Sequence, residues 1–278
     1  MDTKLQLRTH RRWDGLTADA VALLTSARED PFAIPLLVSP STAHARAVGQ
    51  AVADEVGVAA GLQGKTASAL RRELSQSLLD MDPQVDPWSG SALTLRIFDL
   101  LRPDDPNMAA VSEHVQACRV RGIAHADWTT AQQFSAVLQS LIHHSPAVLE
   151  QWRAGEDVDA EGSALPWDKA WWPHVWRLLH DDGHPDPMTQ LTQLCSALGA
   201  APLRWPSCVW ISPAAPEWQD YSLAQALSRR IPVTVLHLLP ACAEHSRWEP
   251  FNSVREHTNL RWHECVQQCG GPVSYTHL

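Results

Sequence analysis

The sequence predicts an α/β fold, an open parallel sheet interrupted by a large helical insertion. Three observations lead there. The first third alternates short apolar runs with helical periodicity, residues 66–203 carry helical patterns broken by proline, and the chain then returns to strand, helix, strand. Its 278 residues are 45% hydrophobic and 19% charged, enough for a sizeable core and too apolar for a disordered chain.

Leu5-Gln6-Leu7-Arg8 is the first strand candidate, and Leu16, Ala20, Leu23, Leu24 and Ala27 then recur at helical spacing. After the break at Asp30-Pro31-Phe32, Ile34–Val38 is a continuous apolar run of buried-strand type. Ser39-Pro40-Ser41-Thr42 forms a turn in which Ser41 or Thr42 caps a helix over Ala43–Val56. Gly57–Leu62 reads as the next strand, so that strand, helix and strand make a right-handed βαβ unit. Helices follow over Thr66–Met81, Ser89–Arg102, Asp127–His143, Trp167–Asp181 and Pro187–Leu198, separated by Asp82-Pro83, Arg102–Pro106 and His184–Pro187. The strand Cys208–Ile211, the helix Pro216–Arg230 and the strand Val233–Leu238 close the α/β part.

Composition excludes several classes. A formal charge of −9 is not that of a basic nucleic-acid clamp, so DNA contact requires a local patch or a basic partner. No apolar run approaches the ~18 residues of a membrane span, and the N-terminus has no secretory h-region; the expectation is a soluble cytoplasmic protein without membrane contact. Cys242, His245, His263, Cys265 and Cys269 are metal-ligand types, but their spacing is too irregular for paired zinc knuckles. No Gly-x-Ser-x-Gly elbow is present, His143-His144 suits a helix C-terminus, and Asp104-Asp105 and Asp181-Asp182 suit turns. Trp167, Trp171, Trp172 and Trp176 crowd one stretch with only Lys169 and Arg177 nearby, which suits a buried or interface stripe better than base stacking.

Two loops compete as phosphate cradles. The turn Ser39–His44 follows a strand, but it lacks Gly and Lys, and Pro40 removes an N–H. Ala59–Thr66 ends in Gly64-Lys65-Thr66 with the spacing of a Walker A loop, although no acidic partner strand accompanies it. A stand-alone P-loop ATPase using Gly64, Lys65 and Thr66 is therefore the alternative functional reading.

Taken in order, the segments resemble the N-terminal part of the RecC family, the gamma subunits of exodeoxyribonuclease V. The resemblance runs through Asp30-Pro31-Phe32, Leu36-Leu37-Val38, Gly57-Val58-Ala59-Ala60-Gly61, Asp86-Pro87-Trp88-Ser89, Pro146-x-x-Leu149-x-Gln151-Trp152-x-x-Gly155, Trp172-x-x-x-Trp176-x-x-Leu179, Cys208–Ile211 and Ile231–Pro240. It implies a superfamily 1 helicase-like domain with a degenerate nucleotide site, divided as residues 1–65 and 206–270 of the sheet domain around an insertion at 66–205. Residues 271–278 match nothing in the family and read as a non-native tail on the first part of a longer chain. The resemblance also implies a subunit that scaffolds RecB-like and RecD-like partners on single- and double-stranded DNA ends during recombinational break repair. ATP and Mg2+ belong to those partners, with no cofactor, metal or catalytic residue in this chain. Ser39, Ser41, Thr66 and Arg72 fall at family positions that face the DNA strand. The resemblance further implies recognition of a recombination hotspot on the 3′ strand, but Val137-Leu138-Gln139…Ser145-Pro146 lacks the family's Asp and Arg, which weakens that implication.

Overall fold

The computed structural model describes residues 5–26, 34–59, 61–62, 64–82, 86–101, 108–180, 184–213, 217–238 and 273–275. They form two compact units, one from residues 1–81 with 193–278 and the other from residues 82–192.

The first unit is the sheet. Its strands are β1 (Leu5–His10), β2 (Leu36–Val38), β3 (Gly64–Lys65), β4 (Cys208–Ser212), β5 (Val233–Leu238) and β6 (Val273–Tyr275), in the order β3-β2-β4-β5-β1-β6. Every pairing is parallel. Register fixes the two faces. Leu37, Val209, Ile211 and Leu236 share one face, and α1 (Trp13–Thr25) and α2 (Thr42–Val56) cover it with Leu16, Ala20, Leu24, Val48 and Val52. The alternate residues Leu5, Leu7, Leu36, Val38, Trp210, Val233 and Val235 are also buried, and α10 (Trp218–Ser228) packs against β1 and β5. A sheet covered on both sides needs apolar residues at consecutive positions, which is why these strands read as continuous runs rather than alternating ones.

One strand lies elsewhere than its pattern suggests. Gly57 is the left-handed C-cap of α2 (φ 83°) and returns its N–H to Ala53 O, and Val58 is 68% exposed. A segment that caps a helix and exposes its valine is not a buried strand. The pairing with β2 is made instead by Gly64 and Lys65. Gly64 is required there, because a Cβ would lie 2.2 Å from the Ala45 Cβ of α2. Helix packing, not hydrophobicity, selects this position.

α3 (Ala67–Leu79) belongs to the first unit and starts directly after β3. The second unit holds α4 (Gly90–Leu100), α5 (Ala109–Val120), α6 (Ala126–His144), α7 (Pro146–Arg153) and α8 (Trp171–His180). The division between units falls within α9 (Pro187–Leu198). Two helices, α5 and α7, go beyond the sequence reading. No side chain caps the N-terminus of either; α5 starts after Met108 and so lacks the usual start signal, whereas α7 starts on Ser145-Pro146, a signal that the short helix behind it left unread. Trp167 lies outside α8, in a separate 3-10 turn over Trp167–Lys169.

Tryptophans build the second core. Trp152 and Trp176 are fully buried and Trp171 nearly so. Trp176 Nε1 donates to Leu149 O at 2.9 Å, and Trp152 Nε1 to Val158 O at 2.7 Å, so both of these indole N–H groups are satisfied, whereas the buried Nε1 of Trp88 finds no hydrogen-bond partner among the described residues. Trp88 and His180 pack on Trp176, Arg96 stacks on Trp88, and Phe134 lies against Trp171.

Asp186, 1% exposed, organises the start of α9. Its carboxylate accepts from Met188 N, Thr189 N, Thr189 Oγ1 and Arg153 Nη2. Burial pushes this carboxyl up, but the Thr189 and Met188 hydrogen bonds and the Arg153 charge together hold it below the ordinary value.

Candidate functional site

In an open parallel sheet the strand carboxyl ends, with the helix starts that follow them, form the natural ligand edge. Here that edge holds a cleft of about 270 Å³ between the ends of β2 and β4, lined by Ser39, Pro40, Thr66, Ser68, Arg71, Ser212, Glu217 and Asp220 among others. All these residues belong to the first unit.

Ser39 ends β2 and is 2% exposed. Its N–H donates to Lys65 O at 2.9 Å and its hydroxyl to Ser41 O at 2.8 Å. Ser41 is the N-cap of α2, accepting from His44 N at 3.3 Å with His44 Nδ1 2.7 Å away. Thr66 is the N-cap of α3, accepting from Ala69 N at 3.2 Å. Among the four residues expected to face DNA, Ser39 and Thr66 line the cleft, whereas Ser41 and Arg72 are not among its lining residues. Arg72 is exposed on α3.

The junction from β2 to α2 is only three residues long, Ser39–Ser41, and Pro40 supplies no N–H. A phosphate cradle needs a longer loop with several free N–H groups converging on one point.

Gly64-Lys65-Thr66 takes a different geometry from the one its motif suggests. Gly64 and Lys65 are strand residues and Thr66 is already a helix cap, so no loop separates strand from helix. The Lys65 ammonium is paired with Glu73, whose other oxygen receives Arg204 Nη2 at 2.6 Å.

Arg71 is the residue the sequence reading missed, one position before Arg72. It lines the cleft, its Nη1 is buried without a hydrogen-bond partner among the described residues, and Asp220 Oδ1 lies 3.9 Å from it. Burial pushes the guanidinium down from its ordinary value, against the opposing charges of Asp220 and Glu217. The available signal was its place one turn inside a helix that starts at a strand end. Nothing in the sequence pairs it with residues 217 and 220.

His237 is 1% exposed on β5, beside the β4 residue Ser212. Its Nδ1–H donates to Ser212 O at 2.6 Å, and burial pushes the imidazole down, so it is held neutral. Cys118, Cys195 and Cys208 are free thiols, and burial pushes Cys195 and Cys208 up. No group of three or more metal-ligating side chains occurs among the described residues, and no helix there is long and apolar enough to cross a membrane. Cys242, His245, His263, Cys265, Cys269 and the two Asp-Asp pairs lie outside the described residues.

The model of the RecC N-terminal domain matches residues 5–269. The chain belongs to the RecC family. Among curated proteins it is similar to the RecBCD enzyme subunit RecC of Mycolicibacterium smegmatis, with 25% identity over 192 residues, 66% of this chain and 16% of that one. The RecC subunits of two Mycobacterium tuberculosis strains are 26% identical over 199 residues, again 66% of this chain and 17% of theirs. The chain thus spans about a sixth of the length of these RecC relatives.

Proposed function

We propose that this RecC-family chain is the scaffold and DNA-guiding segment of a RecBCD-type helicase–nuclease acting in recombinational repair of double-strand breaks. In this reading the first unit is a superfamily 1 helicase-like domain that no longer turns over nucleotide. Catalysis, ATP and Mg2+ belong to the RecB-like and RecD-like partners. The observation that carries the reading is the β2–α2 junction. It stands at the ligand edge of a parallel sheet, yet it is three residues long and its hydroxyls bond within the turn.

The cleft beside that junction is the proposed contact for single-stranded DNA. Ser39, Thr66 and Arg71 line it, and Arg72, exposed on α3, meets backbone phosphate. The carboxylates of Glu217 and Asp220 keep the interior from being a plain phosphate trap, so the strand backbone runs along the rim.

Two measurements test this. The chain, co-expressed with RecB-like and RecD-like subunits, is expected to purify as a heterotrimer. By equilibrium dialysis the chain alone is expected to bind no ATP at micromolar concentration. Micromolar ATP affinity abolished by Lys65→Ala would overturn the reading in favour of a stand-alone ATPase.

A further inference from the structure

The cleft holds a charged group whose bonding is incomplete. Arg71 Nη1 is buried with no hydrogen-bond partner among the described residues. Asp220 Oδ1, 3.9 Å away, is within ion-pair reach but too far to accept a hydrogen bond. A buried donor in that condition costs stability, and in a cleft the missing acceptor is supplied by what binds there.

Two helices and two strand ends bring the surrounding groups together. Ser68 and Arg71, three residues apart on α3, both line the cleft. Glu217 precedes α10 and Asp220 lies in its first turn, and both line the same cleft. β2 and β4 are neighbours with Val38 opposite Trp210, so the junctions that follow them stand side by side. Pro40 and Pro213, from those junctions, complete the lining with apolar rings.

The chemistry of this lining selects its occupant. One guanidinium against two carboxylates leaves a negative interior that repels phosphate. The volume of about 270 Å³ lies below the ~300–1,000 Å³ of pockets for drug-sized ligands. That is room for one flat heterocycle and not for a stacked run of them. A neutral ring with acceptors on one edge, donors on another and two apolar faces matches the guanidinium, the carboxylates and the prolines together. Among the four DNA bases, guanine alone combines two adjacent acceptors, O6 and N7, with two adjacent donors, N1–H and N2–H. A forked guanidinium takes the first pair and a carboxylate the second. Adenine sets its N6–H beside N7, against a guanidinium donor, and cytosine and thymine offer a carboxylate a single donor group.

We infer that the cleft takes a single guanine base of the DNA strand, with Arg71 on its O6/N7 edge and Asp220 and Glu217 on its N1 and N2 donors. The inference rests on the reading of the cleft as a contact for single-stranded DNA. Phosphates stay outside with Arg72, so Arg71 governs sequence preference and Arg72 overall affinity.

The test measures binding of short dT oligomers to the full 278-residue chain by fluorescence anisotropy, with and without one central dG. Wild type is expected to bind the dG oligomer about tenfold more tightly than plain dT. Replacing the dG by 7-deazaguanine, which lacks N7, or by hypoxanthine, which lacks the 2-amino group, is expected to remove most of that preference. Arg71→Met and Arg71→Lys are expected to abolish it while leaving plain dT affinity and the salt slope unchanged, since Lys keeps the charge and loses the fork. Asp220→Asn is expected to lose part of it. Circular dichroism checks the fold of each variant, and the modified bases decide the matter on wild type should a variant misfold. Equal binding of dG and plain dT, a stronger preference for another base, or a dG preference that survives Arg71→Lys would overturn the inference and leave the single-strand reading standing. A uniform loss in Arg71→Met with the salt slope reduced by about 0.7 would make Arg71 a phosphate contact and overturn it likewise. If wild type binds no oligomer, both readings fall.

Discussion

Replacing Gly64 by Ala separates the two meanings of Gly64-Lys65-Thr66. In the structure the added Cβ lies 2.2 Å from the Ala45 Cβ and 3.2 Å from its Cα, whereas ordinary contact begins near 3.4 Å. The sheet edge and α2 must therefore part by about 1 Å. Ala45 is buried and the strand is only two residues long, so the strain falls on the α2 packing or on the β2–β3 hydrogen bonds. Overpacking of this kind costs about 2 kcal/mol. Urea unfolding followed by tryptophan fluorescence reads it as a lowered midpoint with an unchanged slope. Ala45→Gly removes the opposing methyl at a helix-propensity cost of about 1 kcal/mol, and the double variant is expected to recover most of the Gly64→Ala loss. A cycle with no coupling, or a Gly64→Ala midpoint matching wild type, would refute the register in which Gly64 pairs with β2 beneath α2.

Other expectations follow from the same structure. Lys65→Met removes one cation from Glu73 and leaves Arg204 in place, so stability should fall by less than about 1 kcal/mol, with no nucleotide affinity to lose by dialysis. Asp186→Ala deletes the α9 cap and leaves Arg153 without its carboxylate, at about 2 kcal/mol in chemical unfolding, and Asp186→Asn is expected to keep part of the cap. The Asp186 carboxyl is held below its ordinary value, so its contribution is full above the unfolded pKa of ~3.9 and is lost as pH falls through the lower native value. Wild type should therefore lose stability relative to Asp186→Asn as pH falls through that window and not above it, measured by thermal melts across pH. Arg72→Ala is expected to weaken single-strand binding uniformly across sequences and to reduce the salt slope by about 0.7, read by fluorescence anisotropy.

Much of the sheet was legible because burial on both faces leaves a plain mark. Leu36–Val38, Cys208–Ser212 and Val233–Leu238 are short apolar runs, and no other element accommodates them as well. The Ser41 cap was legible for a local reason, since a hydroxyl three residues after a strand finds the free N–H of the helix beside it. The RecC resemblance was carried by the order of such segments, not by any single motif, and the family match covers the same region.

The cleft was only half legible. Ser39 and Thr66 announce themselves as cap and turn residues. Arg71 looks like any helix-surface arginine until α10 brings Asp220 to within 3.9 Å. β3 was misplaced because Gly57–Leu62 is the more apolar run, and hydrophobicity says nothing of how closely α2 approaches the sheet.

By itself the sequence determined the parallel α/β character, the helical segment between its two halves and the family, because apolar period, capping residues and segment order are properties of neighbours along the chain. Only the tertiary structure decided which glycine lies under α2, which arginine enters the cleft and which tryptophan is left outside. Those outcomes depend on distances between residues remote in sequence, such as Gly64 and Ala45 or Arg71 and Asp220, and such contacts leave no periodic trace in the chain.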